Sequence, residues 1–201
     1  MNKNELIEEI VSKEWKMFDQ VENVGGRAGC QNDYQTFHIM RQSQFLAWNE
    51  STLKSYFSDL EEAGSCGRNL VSEKYAFMME HTHPAEYAKI SGMLTEVGPK
   101  KLADIEKIAD IYLVQTESFM KEYPKFLRRT RPVHAKEDSY FTSIETYLKC
   151  ELKTYSENTV KSYLAYLCDL EKEGRRIVYM IFENMVHRYG YDSLDQAEKN
   201  M

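Results

Sequence analysis

The sequence predicts an all-α fold, a multi-helix bundle with an internal duplication of one helical unit. Three observations carry this reading. Apolar residues recur at three- and four-residue spacing through most of the chain, which is the period of a helix face. Only four prolines and nine glycines interrupt 201 residues, so long helices meet few breakers. A stretch of the chain also returns, without a gap, 107 positions further on.

The elements follow in order. Residues 4–21 bring Leu6, Ile7, Ile10, Val11, Trp15, Phe18 and Val21 onto one face, and Asn2 with Glu5 is spaced as a capping pair. Val24, Gly25 and Gly26 stop this helix. Asp33 is placed to cap a second one, which runs to about Trp48 through Phe37, Met40 and Gln44. Ser51 is expected to cap a third, with Leu53, Tyr56, Phe57 and Leu60 on its face, broken between Gly64 and Gly67. A fourth carries Leu70, Val71, Tyr75, Met78 and Met79. Pro84 fits a first helical position before Tyr87, Ile90 and Leu94, and Pro99 opens a long helix through Leu102, Ile105, Ile108, Tyr112, Phe119 and Met120. Tyr123 to Asp138, with Pro124 and Pro132, reads as the main loop. Helices near 139–155, 158–173 and 175–189 end at Gly190, and Ser193 opens a short tail helix.

The repeat is specific. At the 107-residue offset Thr52, Lys54, Ser55 and Tyr56 meet Thr159, Lys161, Ser162 and Tyr163, and Leu60 meets Leu167. Gly67 and Arg68 meet Gly174 and Arg175, Val71 meets Val178, and Met78 meets Met185. That makes nine identities over the 27 positions 52–78, where residue frequencies alone give about one or two. Shared amphipathic patterning would account for the leucines and valines, but not for Gly-Arg or Lys-Ser-Tyr. With a three-residue slip, Arg27, Cys30 and Phe37 face Arg131, His134 and Phe141. The chain is expected to be a single helical domain over 1–201, with units at about 27–98 and 131–201 joined by the long helix near 100–122.

Composition narrows the partners. The net charge is −6, with both signs interspersed, which argues against a general nucleic-acid binder. The basic cluster Arg128, Arg129, Arg131, flanked by Lys125 and His134, reads as a solvated loop. No apolar run approaches the ~20 residues of a membrane span, and Met1 to Glu9 lacks the apolar core of a signal peptide. A cytoplasmic protein with no membrane partner is expected, its oligomeric state left open. Cys30, Cys66, Cys150 and Cys168 form no Cys-x-x-Cys pair and are expected to be free thiols.

The loop Gly25 to Asn32 is the most unusual segment. Its glycines let backbone N–H groups turn inward, and Arg27 offers a fork to a carboxylate or phosphate. Cys30 beside that charge is the candidate nucleophile, with Gln31 next to it. The plainer reading is a helix-terminating turn whose Arg caps carbonyls and whose Cys is buried. Arg41, Gln44 and Trp48 lie at three- and four-residue spacing on one helix face, and Arg68, Ser72 and Tyr75 share another. Such polar and aromatic groups line a pocket or simply bond between helices. In Glu80–Glu86, His81 and His83 stand two apart and point to different sides of a helix, so no metal site is expected. No phosphate-binding glycine motif or nucleophile elbow is present, and no cofactor is expected.

Several segments together resemble an uncharacterised bacterial family, domain-of-unknown-function family 4125. They are Trp15-x-Met17-Phe18, Gly25-Gly26-Arg27-Ala28-x-Cys30-Gln31, Phe37-x-Ile39-Met40-Arg41-x-Ser43-Gln44 with Trp48, and Gly67-Arg68-Asn69-Leu70 with Glu73-Lys74-Tyr75. The resemblance covers most of the chain and implies no activity, substrate or cofactor. The residues favour a small-molecule enzyme or binder that takes an anionic, carboxylate-bearing ligand. The expected site holds Cys30 as the catalytic group and Arg27, Gln31, Arg41, Gln44, Trp48, Arg68 and Tyr75 as binding groups. The rival is a helical interaction or regulatory module without catalysis.

Overall fold

The computed structural model describes residues 1–22, 26–127, 130–134 and 142–201, without the side chain of Leu127. Val24, Gly25, Arg128, Arg129 and Phe141, which figure in the sequence expectations, lie outside the described residues. Among the described residues every regular element is helical and no strand occurs. The α-helices are α1 (Lys3–Asp19), α2 (Tyr34–Leu46), α3 (Glu50–Ser65), α4 (Leu70–Thr82), α5 (Pro84–Ile90), α6 (Pro99–Glu122), α7 (Pro124–Leu127), α8 (Ile144–Thr154), α9 (Glu157–Lys172), α10 (Ile177–Arg188) and α11 (Leu194–Asn200). A 3₁₀ turn, Gly29–Asn32, precedes α2, and another, Ser91–Met93, follows α5.

Side chains that satisfy orphan N–H groups set the helix starts. Asn2 and Glu5 form a reciprocal capping box on α1, and Asp33 accepts from Thr36 N at the head of α2. Asn49, not Ser51, caps α3, since its Oδ1 accepts from Thr52 N and the helix already begins at Glu50. The helix expected near 139–155 begins at Ile144, because Ser143 caps it and the N–H groups of Ile144 and Glu145 donate to Pro132 O and Val133 O. The loop expected from 123 to 138 opens with the four-residue α7.

All the α-helices except α5 contribute to one main core, and Phe77, Met78 and Cys150 form a small second cluster between α4 and α8. α1 lies against α2, α3 and α4, while α6 lies against α8, α9 and α10. α3 contacts α9, α2 contacts α10 and α4 contacts α8, which joins the two groups. At the centre Trp48, Tyr56, Tyr155 and Tyr163 are almost fully buried. Tyr56 and Tyr155 have ring centroids 4.5 Å apart, and Trp48 and Tyr163 4.7 Å. These large rings supply much of the apolar area removed from water.

Candidate functional site

A chain of buried charges crosses the meeting place of α1, α2, α4 and α8. Glu14 interrupts the apolar face of α1 and is 2% exposed. A carboxylate there is costly unless it is paired and hydrogen-bonded. Arg41 of α2 supplies the pairing: its Nε donates to Oε2 at 2.6 Å and its Nη2 to Oε1 at 2.5 Å, a two-pronged fork. Its Nη1 donates to Gln44 Oε1 at 2.8 Å and to Glu151 Oε1 at 3.0 Å. Glu151 of α8 also takes a bond from Lys74 Nζ of α4 at 3.3 Å. The same ammonium donates to Tyr147 Oη at 2.7 Å. Tyr56 Oη donates to Glu14 at 2.6 Å and Tyr155 Oη to Glu151 at 2.7 Å.

Signs alternate along this chain, from Glu14 to Arg41 to Glu151 to Lys74. Burial alone would raise the Glu151 carboxyl, but Arg41 and then Lys74 outweigh it and hold its pKa at about 2. Burial alone would lower the Lys74 pKa, and Glu151, then Tyr147, reverse that and raise it above the ordinary lysine value. Burial, followed by the neighbouring carboxylates, pushes the Tyr56 and Tyr155 phenols up, so they stay protonated as donors.

Beside this network lies a cavity of about 250 Å³, the liquid volume of about eight waters. Glu14, Arg41 and Lys74 form its polar wall. Phe18, Phe37, Met40, Val71 and Tyr75 form the apolar one, and Cys30, Asp33, Thr36, Arg131 and Tyr147 complete the lining. Phe18 stacks on Phe37 with centroids 5.3 Å apart. The Tyr147 ring carries Lys74 Nζ at 4.3 Å from its centroid and the Arg131 guanidinium at 5.4 Å.

Of the residues singled out in the sequence, the structure brings Cys30, Arg41 and Tyr75 onto the cavity wall, with Gln44 one bond behind Arg41. The others stand elsewhere. Arg27 pairs with Asp19 and donates to Asn32 Oδ1 at 2.8 Å and Gln31 O at 2.6 Å. Gln31 is buried and donates to Phe18 O and Val21 O, both at 2.9 Å, so it ties the turn to the end of α1. Trp48 sits in the central aromatic cluster, and Arg68 forks onto Glu73 at 2.7 and 2.8 Å. The N-terminus of α2, read as an anion site, already holds the Asp33 carboxylate.

Sequence reasoning passed over Glu14, Lys74, Tyr147 and Glu151. The three charged ones had a signal, a charge in an apolar stripe, as with Glu14 between Ile10 and Phe18, or Lys74 between Val71 and Met78. Arg131 gives no such signal, since it stands in a run of loop charges.

All four cysteines are free. Cys30 and Cys66 are exposed, whereas burial pushes the Cys150 thiol up to about 11. Among the described residues no three His, Cys, Asp or Glu side chains gather as a metal site would require. No helix among them is long and apolar enough to cross a membrane.

Comparison with known proteins gives one match. A family model described as "Protein of unknown function (DUF4125)" matches residues 4–199. No curated protein and no solved structure matches.

Proposed function

We propose that this chain, which belongs to the DUF4125 family of proteins of unknown function, binds a small anionic ligand in the cavity between α1, α2, α4 and α8. One observation carries the reading. The Tyr147 ring holds two cations, Lys74 and Arg131, and among the described residues neither finds partners for all its N–H groups. Lys74 has three N–H groups and donates two, to Tyr147 and Glu151. Arg131 has no carboxylate partner among the described residues and donates only to Thr142 O, at 3.4 Å.

A carboxylate placed against Tyr147 meets both cations, while an apolar body fills the space between Phe18, Phe37, Val71 and Tyr75. The cavity volume suits a ligand of about ten heavy atoms, an arylcarboxylate in size. Arg41 supports the wall rather than reaching the ligand, since Glu14, Gln44 and Glu151 take four of its bonds. Cys30 is the nucleophilic side chain on the wall and the candidate for any covalent step. The rival interaction-module reading draws on Arg27 and Arg41, whose bonds to Asp19 and to Glu14 and Glu151 are internal.

Calorimetric titration tests this, with benzoate, phenylacetate and hexanoate as probes and inorganic phosphate as a charge-only control. Saturable binding at one ligand per chain is expected for a carboxylate, weakened at least tenfold in Arg131→Gln, about 1.4 kcal/mol. No saturable heat from any probe at millimolar concentration, or equal affinity in Arg131→Gln, overturns it.

A further inference from the structure

The two halves of the chain correspond beyond their sequence identities. α3 and α9 are both 16 residues long and begin 107 positions apart, and α4 and α10 begin at the same offset. The buried residues of α3, Thr52, Leu53, Tyr56, Leu60 and Ala63, fall on those of α9, Thr159, Val160, Tyr163, Leu167 and Leu170. Both helices end in the same way. Gly67 and Gly174 have φ of +68° and +69°, and Arg68 N and Arg175 N each donate at 2.8 Å, to Ala63 O and Leu170 O.

The contacts across the middle exchange under a two-fold operation. Thr52 Oγ1 lies 3.0 Å from Ser162 Oγ, and Thr159 Oγ1 lies 2.7 Å from Ser55 Oγ. Tyr56 on Tyr155 corresponds to Tyr163 on Trp48. The pairing of α4 with α8 corresponds to that of α10 with α2, and α1 over α2, α3 and α4 corresponds to α6 over α8, α9 and α10. On α1 and α6 the buried Ile7, Ile10 and Val11 answer to Ile105, Ile108 and Ala109, 98 positions on.

This correspondence gives the charged cleft a twin. In α2 and α8 the buried Ile39, Ser43 and Phe45 fall on the buried Thr146, Cys150 and Leu152, so the 107-residue offset holds here without the three-residue slip expected upstream. Lys74 then answers to Ile181, Arg41 to Leu148, Glu151 to Gln44 and, at the 98-residue offset, Glu14 to Tyr112. Tyr75 and Val71 answer to Phe182 and Val178. Four ionised side chains in one cleft thus stand where the other has none. Ile181 and Val178 are buried, and Phe182 packs against the core and stacks on Phe119 with centroids 4.2 Å apart.

We infer that the chain is two copies of one four-helix unit related by a pseudo-two-fold axis between α3 and α9, and that the Glu14–Arg41–Glu151–Lys74 network is a binding-site device the fold does not need. The twin cleft packs the same backbone arrangement with apolar and neutral side chains. Buried ion networks exchange for well-packed neutral residues without loss of stability, whereas removal of one member leaves an uncompensated charge. The charged cleft is therefore the one specialised for a ligand, and one ligand binds per chain. That the network serves a ligand rests on the binding reading above. Unfolding needs no ligand, so the two statements fail separately.

The test transplants the twin's residues. Arg41→Leu alone is compared with the fourfold exchange Glu14→Tyr, Arg41→Leu, Lys74→Ile and Glu151→Gln. A second fourfold chain carries Glu14→Gln, in case the tyrosine overfills its place. Thermal unfolding is followed by far-ultraviolet circular dichroism. Arg41→Leu is expected to lower the midpoint by about 10 °C. At least one fourfold chain is expected to recover half of that loss or more and to bind none of the carboxylate probes. If neither fourfold chain recovers half of the loss, the network is part of the fold and the inference is overturned.

Discussion

Lys74, Glu151 and Arg41 are worth more to each other than to the fold around them. Each is buried or nearly so, and each is tolerable there only because the others neutralise it. Lys74→Met, similar in length and uncharged, should cost about 3–5 kcal/mol in urea unfolding, because Glu151 is left with one cation where it had two. The pH dependence follows from Glu151, whose folded pKa of about 2 lies below its ordinary 4.5. A carboxyl depressed in the folded state contributes stability that is fully present above the unfolded pKa. That contribution is lost as pH falls toward the folded one. Stability should therefore drop between about pH 4.5 and pH 2, and Glu151→Gln should show a shallower slope in that window. Equal slopes would remove Glu151 as the cause. At this scale the sequence singles out Arg41 and Tyr75, both on the cavity wall, as polar or aromatic groups on core-facing stripes. It hid Lys74 and Glu151, since a lone charge in a stripe looks the same whether it turns inward to a partner or outward to water.

Helix ends are where local chemistry speaks most directly. Asn2, Asp33 and Pro84 begin the helices they were expected to begin, because a cap needs only residues three or four positions away. The misplaced start of α3 is instructive: Asn49 and Ser51 are both good caps, and the tight turn through Ala47 and Trp48 brings Asn49 to the helix head first. At the other end of α3, Gly67 has φ of +68°, a region that a side chain strains to enter, although a Cβ there would touch nothing within 4 Å. Gly67→Ala should cost about 1 kcal/mol, and Gly174→Ala the same. Gly64→Ala, within the exposed face of α3, should stabilise by about 0.5–1 kcal/mol. Chemical denaturation of the three variants decides the matter; a loss at Gly64 as large as that at Gly67 would show that backbone conformation is not what distinguishes them.

Across the whole molecule the two helix groups interlock rather than sit side by side. α2 reaches across to α10 and α8 reaches across to α4, and the buried rings of Trp48 and Tyr155 meet between them. Neither group can bury its apolar face without the other, so unfolding should be a single cooperative event. Tryptophan fluorescence, which reports on Trp15 in α1 and on Trp48 at the centre, should give the same urea midpoint as circular dichroism. Midpoints that separate would mean the halves are independent domains.

The sequence by itself determined the helical class, most helix boundaries, the glycine caps and the 107-residue correspondence, because these depend on periodicity and on neighbours a few positions apart. Only the tertiary structure decided which polar residues meet. Glu14, Arg41, Lys74 and Glu151 come from four different helices, and the separation between Arg41 and Glu151 is 110 positions along the chain. It also decided that Arg27 turns back to Asp19, while Arg131, from the distant loop, lines the same cavity as Cys30. Whether a buried charge is tolerable depends on the field from side chains brought near by packing, and no local pattern encodes that field.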